Sequence, residues 1–579
     1  MNKMQTSEYL VGKVLRSHIA VTIMVTLTAT LSIVINGLVV AQGLGADALV
    51  SFGLATPMLI LLSAIAGVFS NGGSIRCARY IGVNDIEGVR RNFSTVFFAS
   101  IVVGAIYGLA LFFGADLLGD AFGGTPEIRG LTADYIRAIG LTAIPMLLAQ
   151  DLLNYLRMDN NQILTTIGIV ATVVVNTVFA LYSVAFTDLG MFGIGMAMCI
   201  SNIVGVIICM FHFLRKDRML GIAKPNEVKT ELVSICMAGL PTAINRGSQT
   251  LKNFVLNSFL LSIAGTAAVM TLSVQTNVYQ FLIAISTGFG ILVAMLCGMF
   301  YGERDTDAIR ATLRKSCSFG FLLSAAVGVI LFIFAEPIAM MFIKSGGDLD
   351  MATTCLRLFA FSQPTSTLCL ILLYMYQSMG NLLLSNVISL TRGALYVILF
   401  SVAFAPVFGL EMVWLSAVVA DILSILTIIV VLRIKTGKFP RRAEDFIMFP
   451  KGESKVEDIF NASVSNNINE VMNISRSVEE KIVEHGIDRE KAQRVALCIE
   501  EMACNVVDHA FSDGKTHFMD IRVMKIGDDL VFRLRDDGKR FNPLNAELEG
   551  HLGIKVVKAT CKSIDYRYSV HLNNTRVVI

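Results

Sequence analysis

Glu501 and Asn505 stand four residues apart in the run Glu501-Met-Ala-Cys-Asn505-Val-Val-Asp-His509, so on a helix they share one face. An amide oxygen placed there can ligate Mg²⁺, and a carboxylate one turn earlier can orient or deprotonate an attacking hydroxyl. Asp536 follows the apolar run 530–534, and its carboxylate can accept from the amino group of an adenine. Gly538, just behind it, lets the backbone come close to the base. Gly550 and Gly553, in Gly-His-Leu-Gly, can open a helix whose N-terminal amides face phosphate. Together these are the parts of an ATP site with Mg²⁺ as its metal. Gly514-Lys515-Thr516 looks like the tail of a P-loop, but His509 stands where the first glycine is required and a helix precedes it, so a P-loop motor is not supported.

The elements that must hold these residues lie beyond Arg442. Strand-like runs at 446–451, 519–524, 530–534, 563–568 and 576–579 accompany two amphipathic helices, 465–485 and 488–510. About 130 residues of this kind predict one α/β sandwich domain. The three boxes in this order resemble the GHKL ATPase superfamily, and the phrase Asp536-Asp-Gly-x-x-Phe-Asn-Pro543 resembles its anti-sigma-factor serine kinase branch. The resemblance covers residues 446–579. It implies Glu501 as base, Asn505 as Mg²⁺ ligand, Asp536 as adenine contact, and Asn574 or Thr575 as a further polar contact near the adenine. His509 is expected to pack in the wall of the site.

What precedes is of another character. The chain of 579 residues is 54% hydrophobic and 16% charged, where soluble domains carry about 25% charge. Five of the seven histidines follow residue 450. The net charge of +3 does not suggest nucleic acid. The eleven cysteines are scattered, many within apolar runs, and read as buried thiols. A bilayer crossing needs about 20 apolar residues. Twelve runs qualify: 18–42, 47–72, 93–115, 132–156, 162–186, 190–214, 231–262, 267–299, 316–341, 352–378, 383–405 and 410–434. Arg and Lys concentrate after runs two, six, eight and twelve, as in Arg76, Arg79, Arg90 and Arg91, or Arg304, Arg310, Arg314 and Lys315. The positive-inside rule then places both termini in the cytoplasm of a multi-pass cytoplasmic-membrane protein.

The twelve runs form two sets of six. Gly45-Ala-Asp-Ala-Leu matches Gly265-Thr-Ala-Ala-Val, and without a gap Tyr80-Ile-Gly82-Val-Asn-Asp85 falls on Phe300-Tyr-Gly302-Glu-Arg-Asp305. Pro145 meets Pro364 one residue out of register. Such repeats are typical of secondary transporters, with substrate held between the halves. The phrases Asn36-Gly-Leu-Val-Val-Ala-Gln42, Gly239-Leu-Pro241 and Tyr376-Gln377-Ser-Met-Gly380 resemble the multidrug and toxic compound extrusion (MATE) transporters over residues 10–437. Members often place an acid in the first span, where this chain has Asn36.

The expected architecture is a twelve-helix transporter over residues 1–437 (repeats about 10–215 and 230–437), a linker at 438–445, and the α/β ATP-binding domain at 446–579. An ionisable group at mid-bilayer costs ~3 kcal/mol or more unless paired or wet, so Asp151, Arg246, Lys252, Arg392 and Asp421 are functional candidates. With Asn36 and Gln249 they make up the transport and coupling set, and Pro145, Pro241 and Pro364 are candidate helix breaks. The expected function is export of amphipathic organic compounds driven by Na⁺ or H⁺, gated by or signalling through the ATP-binding domain, with membrane lipids and a cytoplasmic regulatory protein as partners. The alternatives are a membrane-anchored serine/threonine kinase that uses the bundle as sensor, and a lipid-linked precursor flippase.

Overall fold

The computed structural model describes residues 7–579 apart from 123–124, 217, 224–226, 344–346, 449–456, 512–513, 541 and 543–551. Helices follow one another through its first three quarters: α1 (Glu8–Gly43), α2 (Ala46–Val83), α3 (Ile86–Phe122), α4 (Pro126–Met158), α5 (Gln162–Phe186), α6 (Gly190–Met210), α7 (Val228–Gly302), α8 (Thr306–Ile333), α9 (Ala335–Met340), α10 (Gly347–Ala360), α11 (Ser362–Ser378), α12 (Leu382–Leu390), α13 (Tyr396–Phe408) and α14 (Glu411–Thr436). A five-residue π turn, Thr391–Leu395, joins α12 to α13. Among the described residues nine helices are long and apolar enough to cross a bilayer, or ten if α10 and α11, bent by 44°, form one span. The count falls short of the expected twelve in part because α7 covers two expected runs at once. Its 75 residues would reach about 110 Å, against ~30 Å of hydrocarbon. Gly265, with φ 70° and ψ −161°, breaks it in two.

The repeat seen in the sequence recurs in the backbone. Gly45 at the head of α2 has φ 89° and ψ −172°, close to the values of its match Gly265, in a region essentially closed to side chains. Asn84 and Arg304, at matching places, are both left-handed, with φ 69° and 56°. Asp85 Oδ1 then accepts the Gly88 amide at 2.7 Å, and Asp305 Oδ1 the Ala308 amide at 2.9 Å. The α2–α3 and α7–α8 connections are thus the same turn with the same carboxylate cap.

Those two turns touch. A Cβ on Gly82 would sit 2.9 Å from the Gly302 Cα, and one on Gly302 would sit 3.1 Å from the Gly82 Cα. A Cβ on Gly72 would likewise lie 3.1 Å from the Gly239 Cα, so bare backbones pack along the α2–α7 seam. Polar groups finish the seal. Glu231 accepts from Arg76 Nη2 at 3.0 Å, Tyr80 Oη at 2.9 Å and Asn92 Nδ2 at 2.8 Å, and Arg79 Nε donates to the Ser378 carbonyl at 2.8 Å. The halves are closed against each other on the face that carries the Arg- and Lys-rich loops, called the basic face below.

The last quarter holds β1 (Glu457–Ser465), α15 (Ile468–Glu484), α16 (Arg489–His509), β2 (Phe518–Ile526), β3 (Asp529–Asp536), α17 (Leu552–Thr560), β4 (Ser563–Ser569) and β5 (Leu572–Val578). The strands form one antiparallel sheet in the order β1-β2-β3-β5-β4. Val471, Val478, Val495, Ile499 and Met502 cover one face of the sheet, packing on Met519, Ile521, Phe532 and Leu534. The strand expected at 446–451 is not formed in its described part. Ala443–Phe446 is a single 3-10 turn, and Phe446, Ile447 and Met448 pack on the helical bundle. The first strand is β1, further along. From the glycine geometry we expect Gly265→Val to cost about 1–3 kcal/mol, read as a melting temperature several degrees lower for the full-length protein in detergent. Gly53→Ala, within α2 and with nothing inside 4 Å of the added Cβ, should leave it unchanged.

Candidate nucleotide site and transport cavity

The helix-covered side of the sheet gathers several of the nucleotide candidates. Asp536 ends β3 with its side chain buried, and its Oδ1 accepts the Gly538 amide and Asn573 Nδ2, both at 2.8 Å. Gly538 fits against the end of α16. Its added Cβ would lie 3.1 Å from the Ala510 carbonyl oxygen, and Lys539 N donates to that same oxygen at 3.0 Å. The turn carrying the adenine candidate is thereby fastened to the helix that carries Glu501 and Asn505. Asn505 Nδ2 donates to the Glu501 carbonyl at 2.7 Å, so the amide nitrogen is used within the helix and the oxygen is the atom a cation would take. Gly553, in the first turn of α17, abuts the Glu501 carboxylate so closely that any Cβ there would collide with it. Gly550 and His551 lie outside the described residues.

Strand periodicity sorts the remaining candidates. Leu534 pairs with Thr575 and Asp536 with Asn573, so Thr575 and Asn573 share the Asp536 face. Asn574 points the other way: its Nδ2 donates to Glu303 of the bundle at 2.6 Å, so it is not an adenine contact. Asn573, which holds Asp536, was not singled out from the sequence, and the β3–β5 register is the signal that finds it. His509 ends α16 exposed rather than walled into the site.

The second face of the sheet is buried as well, although among the described residues no helix of its own domain covers it. Arg522, Arg533, Arg535 and Arg567 project from it at 4 to 8% exposure and reach the two matched turns of the bundle. Arg533 bonds the Gly82 carbonyl at 3.1 Å and pairs with Glu303 at 3.1 Å. Arg535 pairs with Glu303 and, at 3.3 Å, with Asp305. Arg522 donates to the Glu303 and Arg304 carbonyls at 3.0 and 2.7 Å, and Arg567 to the Ile81 carbonyl at 2.8 Å. Burial opposes charge on Asp305, but the guanidiniums of Arg522 and Arg535 outweigh it and hold the carboxyl below its ordinary range. The start of α1 joins this contact: Ser7 N donates to Ser463 Oγ at 3.2 Å, and Lys13 pairs with Asp537, beside Asp536.

In the bundle, Asn36 and Asn176 are buried together at 2.7 Å. Asp151 is buried with Ser100 Oγ donating to its Oδ2 at 2.6 Å, and its Oδ1 has no partner among the described residues. Arg392, set by the π turn, pairs with Asp421 at 2.6 Å, and Thr365 Oγ1 donates to the same carboxylate at 3.2 Å. Arg392 is buried rather than reaching a membrane face. This pair lines a cavity in the second half together with Gln249, Lys252, Tyr279 and Ser366. Pro145 and Pro241 lie inside helices that run on past them, so neither breaks its helix. Pro364 falls in the first turn of α11, just past the 44° bend.

Comparison with known proteins agrees on both parts. The MatE family matches residues 20–182 and 241–405, and the histidine kinase-like ATPase domain matches residues 464–579. The multidrug export protein MepA of Staphylococcus saprophyticus is 23% identical over 372 residues, spanning 64% of this chain and 81% of its own. MepA of Staphylococcus aureus strain N315 is 22% identical over 375 residues, with the same shares. A solved outward-facing conformation of a multidrug resistance MATE family transporter superposes with a TM-score of 0.69 at 20% identity, covering 76% of this chain and all of its own, a likeness of fold.

Burial raises the Asp536 carboxyl to about 6, against the pull of Asn573 and the Gly538 amide. The ionised carboxylate is the stronger acceptor for an adenine amino group. MgATP affinity should therefore rise from pH 5 toward a plateau above pH 7. Isothermal titration of the full-length protein checks this, and Asp536→Asn should weaken binding at least tenfold and flatten the profile.

Proposed function

Because the chain belongs to the MatE family, we propose that it is a secondary exporter of amphipathic organic compounds whose turnover is set by the nucleotide state of its C-terminal histidine kinase-like ATPase domain. The observation that carries this reading is the arginine face laid across Gly82 and Glu303. Those residues sit on matched turns of the two halves, and any rocking that parted the halves on the basic face would have to separate them. A domain bonded to both turns at once holds that face shut. The concentration of Arg and Lys in its loops supports a cytoplasmic side for this face, where the nucleotide site would meet cellular ATP. With no P-loop, nucleotide would act as a regulator while an ion gradient drives export.

The nucleotide roles proposed are those the residue types suit. Asp536 takes the adenine amino group, Thr575 stands beside it, and Gly538 and Gly553 keep backbone close. Mg²⁺ suits a site with one amide oxygen, Asn505, because this ion takes few protein ligands beside phosphates and water. Glu501, one turn before, can polarise a hydroxyl or water. Asp537 offers a route outward, since it neighbours Asp536 while pairing with Lys13 of α1 and lying 3.2 Å from His517 Nδ1.

For the coupling ion we propose Asp151. Asp421 is already neutralised by Arg392, and Asn36 cannot carry a proton, which leaves Asp151, with an oxygen unused, to bind H⁺ or Na⁺. Asp151→Asn should then abolish gradient-driven export from vesicles while leaving substrate binding within about twofold.

The clamp is tested by charge. Arg535→Glu sets one carboxylate against Glu303 and Asp305 and should undock the domain, speed protease cleavage at 438–445, raise export several-fold and remove its dependence on MgATP. The double variant Arg535→Glu with Glu303→Arg should recover part of the control. Export that is identical with and without MgATP in the wild type, and unchanged by Arg535→Glu, would sink the gating role.

A further inference from the structure

Three basic side chains lie in or beside the cavity of the second half, and one carboxylate answers them. Arg392 is matched by Asp421. Lys252 lies with its Nζ 5.6 Å over the Tyr279 ring, and among the described residues no ion pair reaches it. Nor does one reach Arg246, which is exposed although it stands about 27 Å along α7 from its start. On the helical wheel Arg246, Gln249 and Asn253 fall within about 60° of one another, and the exposed Leu251 lies roughly opposite all three. Lys252 and Arg392 line the space with Asp421 alone to answer them, so it holds one cation more than it holds anions, and Arg246 is a further cation beside it on α7. An unmatched cation at membrane depth is costly, and a ring face offsets only part of that cost.

The rest of the cavity is shaped for an organic guest. Leu256, Leu272, Phe359 and Val397 give apolar wall, and Gln249 and Ser366 give hydrogen-bonding groups. Such a lining, apolar with a few polar groups, is that of organic-ligand sites rather than of a bare ion. An organic cation entering would meet like charge, and an organic anion would restore neutrality.

We propose that this cavity binds the anionic group, a carboxylate, sulfonate or phosphate, of an amphipathic organic anion. Lys252 and Arg246 are its charge partners, and the Arg392–Asp421 pair forms a fixed polar wall. The assignment rests on the exporter reading and names the substrate class of that exporter. The π turn supports the geometry. Gly393 within it packs against Ser248 of α7, where an added Cβ would lie 2.6 Å from the Ser248 Cβ, so the Arg392 segment and the Arg246–Lys252 stretch are held as one unit.

The test uses the full-length protein in phosphatidylcholine nanodiscs with two radiolabelled probes, taurocholate as amphipathic anion and tetraphenylphosphonium as lipophilic cation. We expect taurocholate to bind at least tenfold tighter. Lys252→Gln and Arg246→Gln should each weaken it about tenfold or more, and Lys252→Glu should reverse the preference. Unchanged melting temperature and MgATP binding certify that each variant is folded, and either neutral variant suffices if the other fails to fold. Phosphatidylglycerol added to the discs separates the sources of the anion. Competition with taurocholate that Lys252→Gln removes assigns a lipid headgroup, no competition assigns a free solute, and both support an anion site. A wild type that fails to hold taurocholate tighter than tetraphenylphosphonium, or neutral variants that bind it as the wild type does, overturns the proposal. Taurocholate bound but never exported under an imposed ion gradient overturns the exporter reading and leaves the anion site standing.

Discussion

Glu303 is a carboxylate with almost no exposed surface, and the joining of the two domains turns on how its charge is met. Arg533 and Arg535 pair with it and Asn574 donates to it, all three from the ATPase sheet. Removing one partner of such a buried set costs roughly 3–5 kcal/mol, because the remaining charge is left without solvent or counterion. Arg533 and Arg535 are equally dependent, since among the described residues nothing in their own domain covers the face they stand on. The turn and the sheet therefore need each other.

The two halves present different chemistry to that sheet although their turns share a backbone. In the second half the turn reads Gly302-Glu303-Arg304-Asp305 and offers carboxylates. In the first it reads Gly82-Val83-Asn84-Asp85, and the domain uses the carbonyls of Ile81 and Gly82 instead. Arg533 contacts both, so one side chain straddles the seam between repeats. A docking site built on one half alone would move with that half. This one registers the separation between them, which is the coordinate that alternating access changes.

What the sequence made legible is what repeats or alternates. The helical series, the internal match at Gly45 and Gly265, and the order of the nucleotide boxes can all be read without contacts. The interface cannot. Arg533 and Arg535 alternate with Phe532 and Leu534 as the solvent side of any half-buried strand does, and nothing local distinguishes water from a second protein surface. Phe446, Ile447 and Met448 read as a strand because they are apolar and short, yet that apolar surface is used against the bundle. Asn574 and Asn573 differ by one residue and hence by a whole face of the sheet, a distinction that only register supplies. Asp421 reads as an isolated acid at membrane depth because its partner Arg392 lies 29 residues away, brought in by a π turn that propensity does not foresee.

The same strand serves both proposed functions, and that shapes how they can communicate. Asp536 faces the helices and the nucleotide site, Arg535 faces the bundle, and Asp537 pairs with Lys13 at the head of α1. Allosteric coupling of useful size is about 1–3 kcal/mol. That is less than the cost of stripping partners from Glu303, so nucleotide need not break the clamp outright. Under the proposed gating, a small shift of the β3 end, which moves Arg535 relative to Glu303 and Asp537 relative to Lys13 together, would change the balance between docked and undocked states by that amount. A domain with no motor motif can thus govern a carrier through the placement of three consecutive side chains.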